Sequence, residues 1–169
     1  MTDMSDNFII QLVSEPEWYC VTFFGNCDEN SGFPAVRFEN KFVELDLAGL
    51  MGMNPAGAEL WVNWVRTLPR KKATYIENCP VHMLHHFAER AEMLPAGSIL
   101  NSFYIDYEHA NAGAPLRLTV SLGQDFAEPK LSLQKSLGKD GQNYKLKQES
   151  SALETCLQRF YPQLKLIVS

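Results

Sequence analysis

The sequence has no apolar run approaching the roughly 20 residues that cross a bilayer, so no membrane span is expected. Met1 to Asn7 is polar and acidic and lacks the basic-then-apolar order of a secretory leader, so none is expected here. Only four cysteines occur, Cys20, Cys27, Cys79 and Cys156, with no Cys-x-x-Cys pair. That density is too low for a disulfide framework and points to reduced thiols in a cytoplasmic protein. Positive charge is also scarce. Lys and Arg number 15 against 20 Asp and Glu, giving a net charge of -5 and an isoelectric point near 5.4. A general nucleic-acid binder carries a basic face, so that class is set aside. The chain also lacks a glycine-rich phosphate loop and a serine–histidine–acid set at a strand-to-helix elbow.

What is present is a chain of 169 residues, 46% hydrophobic and 21% charged, long enough for one domain or a domain with an appendage. Phe8 to Val13 and Trp18 to Phe24 are apolar and β-branched runs around a Ser14-Glu15-Pro16-Glu17 turn, which predicts an antiparallel hairpin. Gly25 to Pro34 reads as loop. Phe42 to Leu47, bounded by Asn40 and Gly49, reads as a central strand. Trp61, Trp64, Val65 and Leu68 then follow helical spacing and predict a helix over 56–68, closed by Pro69. Ala73 to Glu77 is a further strand. Asn78 or Cys79 can cap a second helix that begins near Pro80 and places Val81, Leu84, Ala88 and Ala91 on one face. Ile99 to Tyr107 is a strand again. This alternation predicts a mixed, mainly parallel α/β sheet with crossover helices.

Beyond Glu108 the pattern changes. His109 to Pro115 is a small-residue loop, Leu116 to Leu122 alternates as a strand, and another strand lies near 131–134. Gly138-Lys139-Asp140-Gly141 is a turn, Ser151 to Glu154 has capping-box form, and Leu153, Cys156, Leu157 and Phe160 stripe a terminal helix. A closing strand spans 164–168. The expected division is an α/β domain over 1–108 and a C-terminal extension over 109–169 that packs on or extends the same sheet.

The stretch Leu45-Asp46-Leu47-Ala48-Gly49-Leu50, followed by Gly57 at a helix start, resembles the core motif of STAS domains. That family includes anti-sigma factor antagonists and the cytoplasmic tails of sulphate transporters. The similarity runs from about Trp18 to Tyr107. It implies a bacterial regulatory module that binds a protein partner through the loop Asn54, Pro55, Ala56, Gly57 and Ala58. The family's phospho-acceptor serine position holds Pro55, which has no hydroxyl, so the resemblance implies binding without a phosphorylation switch. Proline also suits the first turn of a helix on its own account.

Other candidates read as structural. His82 and His86 share one-turn spacing, as do His85 and Glu89, but no third metal ligand accompanies them. Asp46 and Asp106 end separate strands without a matching nucleophile. Trp61 and Trp64 sit at core spacing. Arg70-Lys71-Lys72 is a solvated helix end or a contact for an acidic partner. Cys27 beside Asp28 is an unreactive thiol. No catalytic residue, metal or cofactor is assigned, and a partner protein or a second copy of the chain is the expected ligand. The alternative is a small-ligand or lipid-binding α/β domain with its pocket at the strand ends.

Overall fold

The computed structural model describes residues 7–122, 130–139 and 142–169. The expected hairpin is there. β1 (Ile9–Ser14) pairs antiparallel with β2 (Trp18–Cys27), with Ile9 opposite Phe24 and Ser14 opposite Tyr19. The Glu15 N–H donates to the Trp18 carbonyl at 2.8 Å and closes the turn. β3 (Phe42–Met53) then adds parallel to β2. Helix α1 (Pro55–Val65) leads to β4 (Thr74–Glu77), and helix α2 (Val81–Glu89) with a 3-10 turn at Ala91–Met93 leads to β5 (Ser98–Leu100). The five strands lie in chain order, the last four parallel.

Strands that always step the same way, joined by right-handed crossovers, put their helices on one face. Burial agrees. Tyr19, Val21 and Phe23 of β2, Val43, Leu45 and Leu47 of β3, and Ile76 of β4 are buried with Trp61, Trp64, Met83, Leu84 and Phe87. The alternate residues Trp18, Cys20, Glu44, Asp46, Tyr75 and Glu77 are only half-buried, and among the described residues no helix lies over that face.

The C-terminal region forms two further sheets. Only Asn101 separates β5 from β6 (Ser102–His109), and a parallel bridge from Cys79 to Phe103 ties β6 to the end of β4. β7 (Leu116–Ser121), β8 (Lys130–Leu133), β9 (Ser136–Lys139), β10 (Gln142–Leu146), helix α3 (Ser150–Leu157) and β11 (Lys165–Val168) follow. They form an antiparallel sheet ordered β7-β6-β10-β9 and a parallel pair of β8 with β11. α3 lies against α2, with the Phe87 and Phe160 rings 6.1 Å apart. Leu153, Cys156, Leu157 and Leu164 belong to the same buried cluster as the first sheet.

Several local expectations are corrected. β3 runs on to Met53, because register shifts at Leu47–Ala48 and at Met51 let Gly49 and Gly52 stay paired with Phe24 and Asn26 rather than ending the strand. Pro80, not Asn78 or Cys79, occupies the N-cap of α2, since Asn78 adopts φ +52 and turns its side chain back to Asp46. The buried face of α2 is Met83, Leu84 and Phe87, with Ala91 exposed in the 3-10 turn. The large ring and thioether bury more apolar area than the alanines, and they set the rotation of the helix. Glu149 precedes α3, and Ser151 lies inside it with its hydroxyl donating to the Glu149 carboxylate, so no capping box forms. Gly138 and Lys139 belong to β9, while Asp140 and Gly141 lie outside the described residues.

Trp61 is fully buried and its Nε1–H donates to the Met93 carbonyl at 2.8 Å. Trp61→Phe removes that donor and leaves the carbonyl orphaned. It should destabilise the fold by about 1–3 kcal/mol, seen as a lower urea midpoint with an unchanged slope.

Candidate functional site at the β3–α1 junction

β3 leaves the sheet through two irregularities in its register with β2, one between Thr22 and Phe24 and one between Gly25 and Asn26. Bulges bend a strand and re-aim its side chains. Here they bring Met51 out to 63% exposure just before the helix. The first is possible because Gly49 has no side chain: a Cβ there would collide with the Phe24 ring.

Asn54 then caps α1. Its backbone is extended, its Oδ1 accepts the Gly57 N–H at 2.7 Å, and Pro55 fills the first helical position, where a missing N–H removes nothing. The Asn54 Nδ2 donates to Glu29 Oε2 at 2.9 Å, which holds the Glu29 carboxyl below its ordinary pKa. The Asn54 N–H donates to the Cys27 carbonyl at 3.0 Å. Gly57 lies so close to that carbonyl that any side chain would overlap it. The start of α1 is therefore fastened to the end of β2 through backbone atoms.

Of the five residues expected to face a partner, Asn54, Pro55 and Ala56 are exposed, whereas Gly57 and Ala58 are buried in this packing. The exposed three offer no hydroxyl, thiol or base. The nearest thiol, Cys27, is buried, with its pKa pushed up to about 11. Burial is the main cause, the Ser31 hydrogen bond opposes it, and Asp28 adds a smaller rise. A thiol so protonated is a poor nucleophile.

The other sequence candidates separate. Asp46 accepts from the Ala48 N–H and the Asn78 Nδ2, each at 3.0 Å. Asp106 instead takes two bonds from Arg117, at 2.6 and 3.0 Å. Around Asp46 the structure adds residues the sequence reading did not single out. Glu77 accepts from the Asn101 Nδ2 at 2.7 Å and the Ser102 hydroxyl at 2.6 Å, and that hydroxyl accepts the Asn78 N–H. The network fixes the turn from β4 into α2. Its members come from three segments more than 20 residues apart, and no local pattern announces them. Glu44 beside it has a raised pKa, chiefly through burial and then through Glu77 and Asp46.

Trp61 and Trp64 are core residues, as their spacing predicts. Lys72 lies over the Phe42 ring at 4.5 Å. The histidines do not converge. His85 Nδ1 sits 3.4 Å from Cys156 Sγ, while His82 is half-buried with its Nε2 unpartnered. No group of His, Cys, Asp and Glu able to hold a metal occurs among the described residues. A cavity of about 380 Å³ beside the junction is lined by Asn7, Phe8, Asp28, Asn30 and Ser31. With one ring among four polar residues, it lacks the apolar lining of a lipid or drug-like site. No described helix is long and apolar enough to cross a membrane.

Comparison with protein-family models finds no match, and comparisons with curated proteins and with solved structures find none either. Nothing in them identifies a STAS domain.

Two outcomes follow from this geometry. Gly57→Ala forces α1 away from Cys27 and should lower stability by about 1–3 kcal/mol in denaturant titration. His82 has its pKa pulled down to about 4 by burial first, then by His86 and Arg117. The unfolded ring binds a proton near pH 6.5, so stability present above that pH is lost as pH falls toward 4. Discounted for solvent screening at a half-exposed ring, the loss should be about 1–2 kcal/mol. His82→Leu should flatten it in melting curves recorded from pH 7 to 4.

Proposed function

We propose that this chain is a non-enzymatic, STAS-like protein-interaction module that docks a partner through Asn54, Pro55 and Ala56, with Met51 as the apolar anchor, and has no phosphorylation switch at that loop. The observation that carries the reading is the saturation of Asn54. Both ends of its carboxamide are used, one on Gly57 and one on Glu29. The result is an exposed helix start that is rigid and chemically inert, beside a methionine side chain 63% exposed. Such a surface recognises shape rather than transforming a substrate. Methionine adapts readily to a partner's contour. Glu29 adds negative charge beside it, whereas Glu59 is paired with Arg90 at 2.8 Å, so the fitting partner presents an apolar side chain with a basic group on the Glu29 side.

The STAS-like part of the reading is supported by the order β3-α1-β4-α2-β5 with its parallel strands and by the capped, glycine-containing start of α1. The two further sheets built from β6 to β11 distinguish this chain from a minimal domain of that kind. A regulatory role in bacteria comes with the resemblance.

Met51→Asp and Ala56→Arg change exposed side chains and should leave the melting temperature in place. In pull-downs from the source cell's lysate, both should lose the protein that the parent chain retains. Retention of the same protein by both variants would sink the proposed surface. Phosphate found by mass spectrometry on a neighbouring serine or threonine, with release of that protein, would overturn the absence of a switch.

A further inference from the structure

β1 is the edge of the five-stranded sheet, and among the described residues no strand pairs with its outer side. Edges of this kind leave a row of N–H and C=O groups open to another strand, and native proteins blunt them with charges, proline or bulges. β1 uses none of these. Its sequence is Ile-Ile-Gln-Leu-Val-Ser, and its register with β2 is unbroken from Ile9 to Ser14. On the uncovered face of the sheet, Ile9 is 49% and Val13 52% exposed, and Ile9 pairs with Phe24, itself 39% exposed. On the other face, Ile10 and Leu12 pack against the core.

We infer that β1 is a homodimer interface, pairing antiparallel with β1 of a second copy about a two-fold axis at Gln11. The strand is self-complementary in that register. Ile9 meets the partner's Val13 on the open face. Ile10 meets the partner's Leu12 on the helix face, extending both cores across the axis. Gln11 meets itself, and amide side chains both donate and accept. A two-fold interface requires this reciprocity, residue i on j and j on i.

Register selects a second copy over other strands, because only an identical strand repeats Ile9 on Val13 and Ile10 on Leu12 in both halves of the ladder, and charge leaves that pairing open. The chain carries a net charge of -5, so most self-contacts would oppose carboxylates. β1 contains no charge, and the Gln11 register sets the nearest carboxylate, Glu15, opposite Asn7 rather than another acid. The pairing also removes the exposed edge by closure, since each copy contributes one such edge, and it joins two five-stranded sheets into one. It uses none of Met51, Asn54, Pro55 and Ala56, so it stands independently of the docking surface proposed above.

Sedimentation equilibrium of the full chain over a micromolar dilution series is the test. The parent should show twice the 19.2 kDa chain mass at the upper end. Ile9→Lys with Val13→Lys places like charges across the axis and should give monomer. Ile9→Lys with Val13→Glu places opposite charges across it and should restore the dimer. Gln11→Cys should form a disulfide-linked dimer under mild oxidant, because directly opposed residues sit within disulfide reach, whereas the parent, with only its native thiols, should not. A monomeric parent at the highest concentration, a dimer that survives the double-lysine change, or failure of both the Lys/Glu rescue and the Gln11 cross-link would overturn the inference.

Discussion

The fold depends on the packing around one indole. The Trp61 ring lies 5.1 Å from Phe23 of β2, 6.3 Å from Phe33 of the β2–β3 connection, 5.8 Å from Trp64 of its own helix and 6.4 Å from Phe87 of α2. Its N–H reaches the carbonyl of Met93 in the turn before β5. One side chain thus touches every layer that must be in place before the parallel strands can register. Aromatic clusters of this kind add specific geometry to a large buried area, and the hydrogen bond satisfies the one polar group that burial would otherwise strand. Phe87 passes the contact on to Phe160, so the C-terminal extension is packed on the same aromatic column rather than tethered to it.

The sheet's other face obeys a different constraint. Trp18 stacks on Phe42 at 4.9 Å and leans on Tyr75 at 5.3 Å, with the Lys72 ammonium over Phe42. Next to them lie Glu44, Asp46 and Glu77. Such a surface is neither core nor a fully hydrated face. Asp46 and Glu77 keep their place by accepting two hydrogen bonds each. Glu44 joins no such network among the described residues, and burial, then Glu77 and Asp46, raise its pKa. The carboxylates are thus arranged around the β4–α2 turn, where Asn78 takes a left-handed conformation and needs its side chain and N–H held.

How much of this could be read from the residues follows from the range of each interaction. The hairpin, the central strands and α1 announce themselves because their periodicity is local and unbroken. The face of α2 does not, because Val81, Leu84 and Ala88 also satisfy helical spacing, and only the bulk of Phe87 and Met83 decides between the two stripes. β9 and β10 are polar, largely exposed strands, and Gly138 and Lys139 carry a turn signal that hides their place in β9. Ser151 and Glu154 matched a capping box, but Glu154 is drawn off to the Leu166 N–H of β11, a long-range contact that overrides the local motif. Asn54, Pro55 and Ala56 were legible as a surface. The burial of Gly57 and Ala58 was not, since it depends on β2 arriving beneath them.

That last point bears on what the STAS resemblance can carry. The glycine in the motif is required here by backbone geometry: Gly57 touches the Cys27 carbonyl, and no other residue fits. Asn54 and Pro55 are likewise accounted for by capping and by the first helical position. The motif's glycine and the Asn54-Pro55 that departs from the motif thus each have a steric or hydrogen-bonding reason that operates in this chain alone. A motif explained so completely by how a strand hands over to a helix speaks for the handover, and only indirectly for a partner. The functional weight therefore rests on what the sterics leave over, which is the solvent-facing side of Pro55 and Ala56 and the methionine that two bulges push out beside them. Core packing demands none of these exposures, least of all that of Met51, which is 63% exposed.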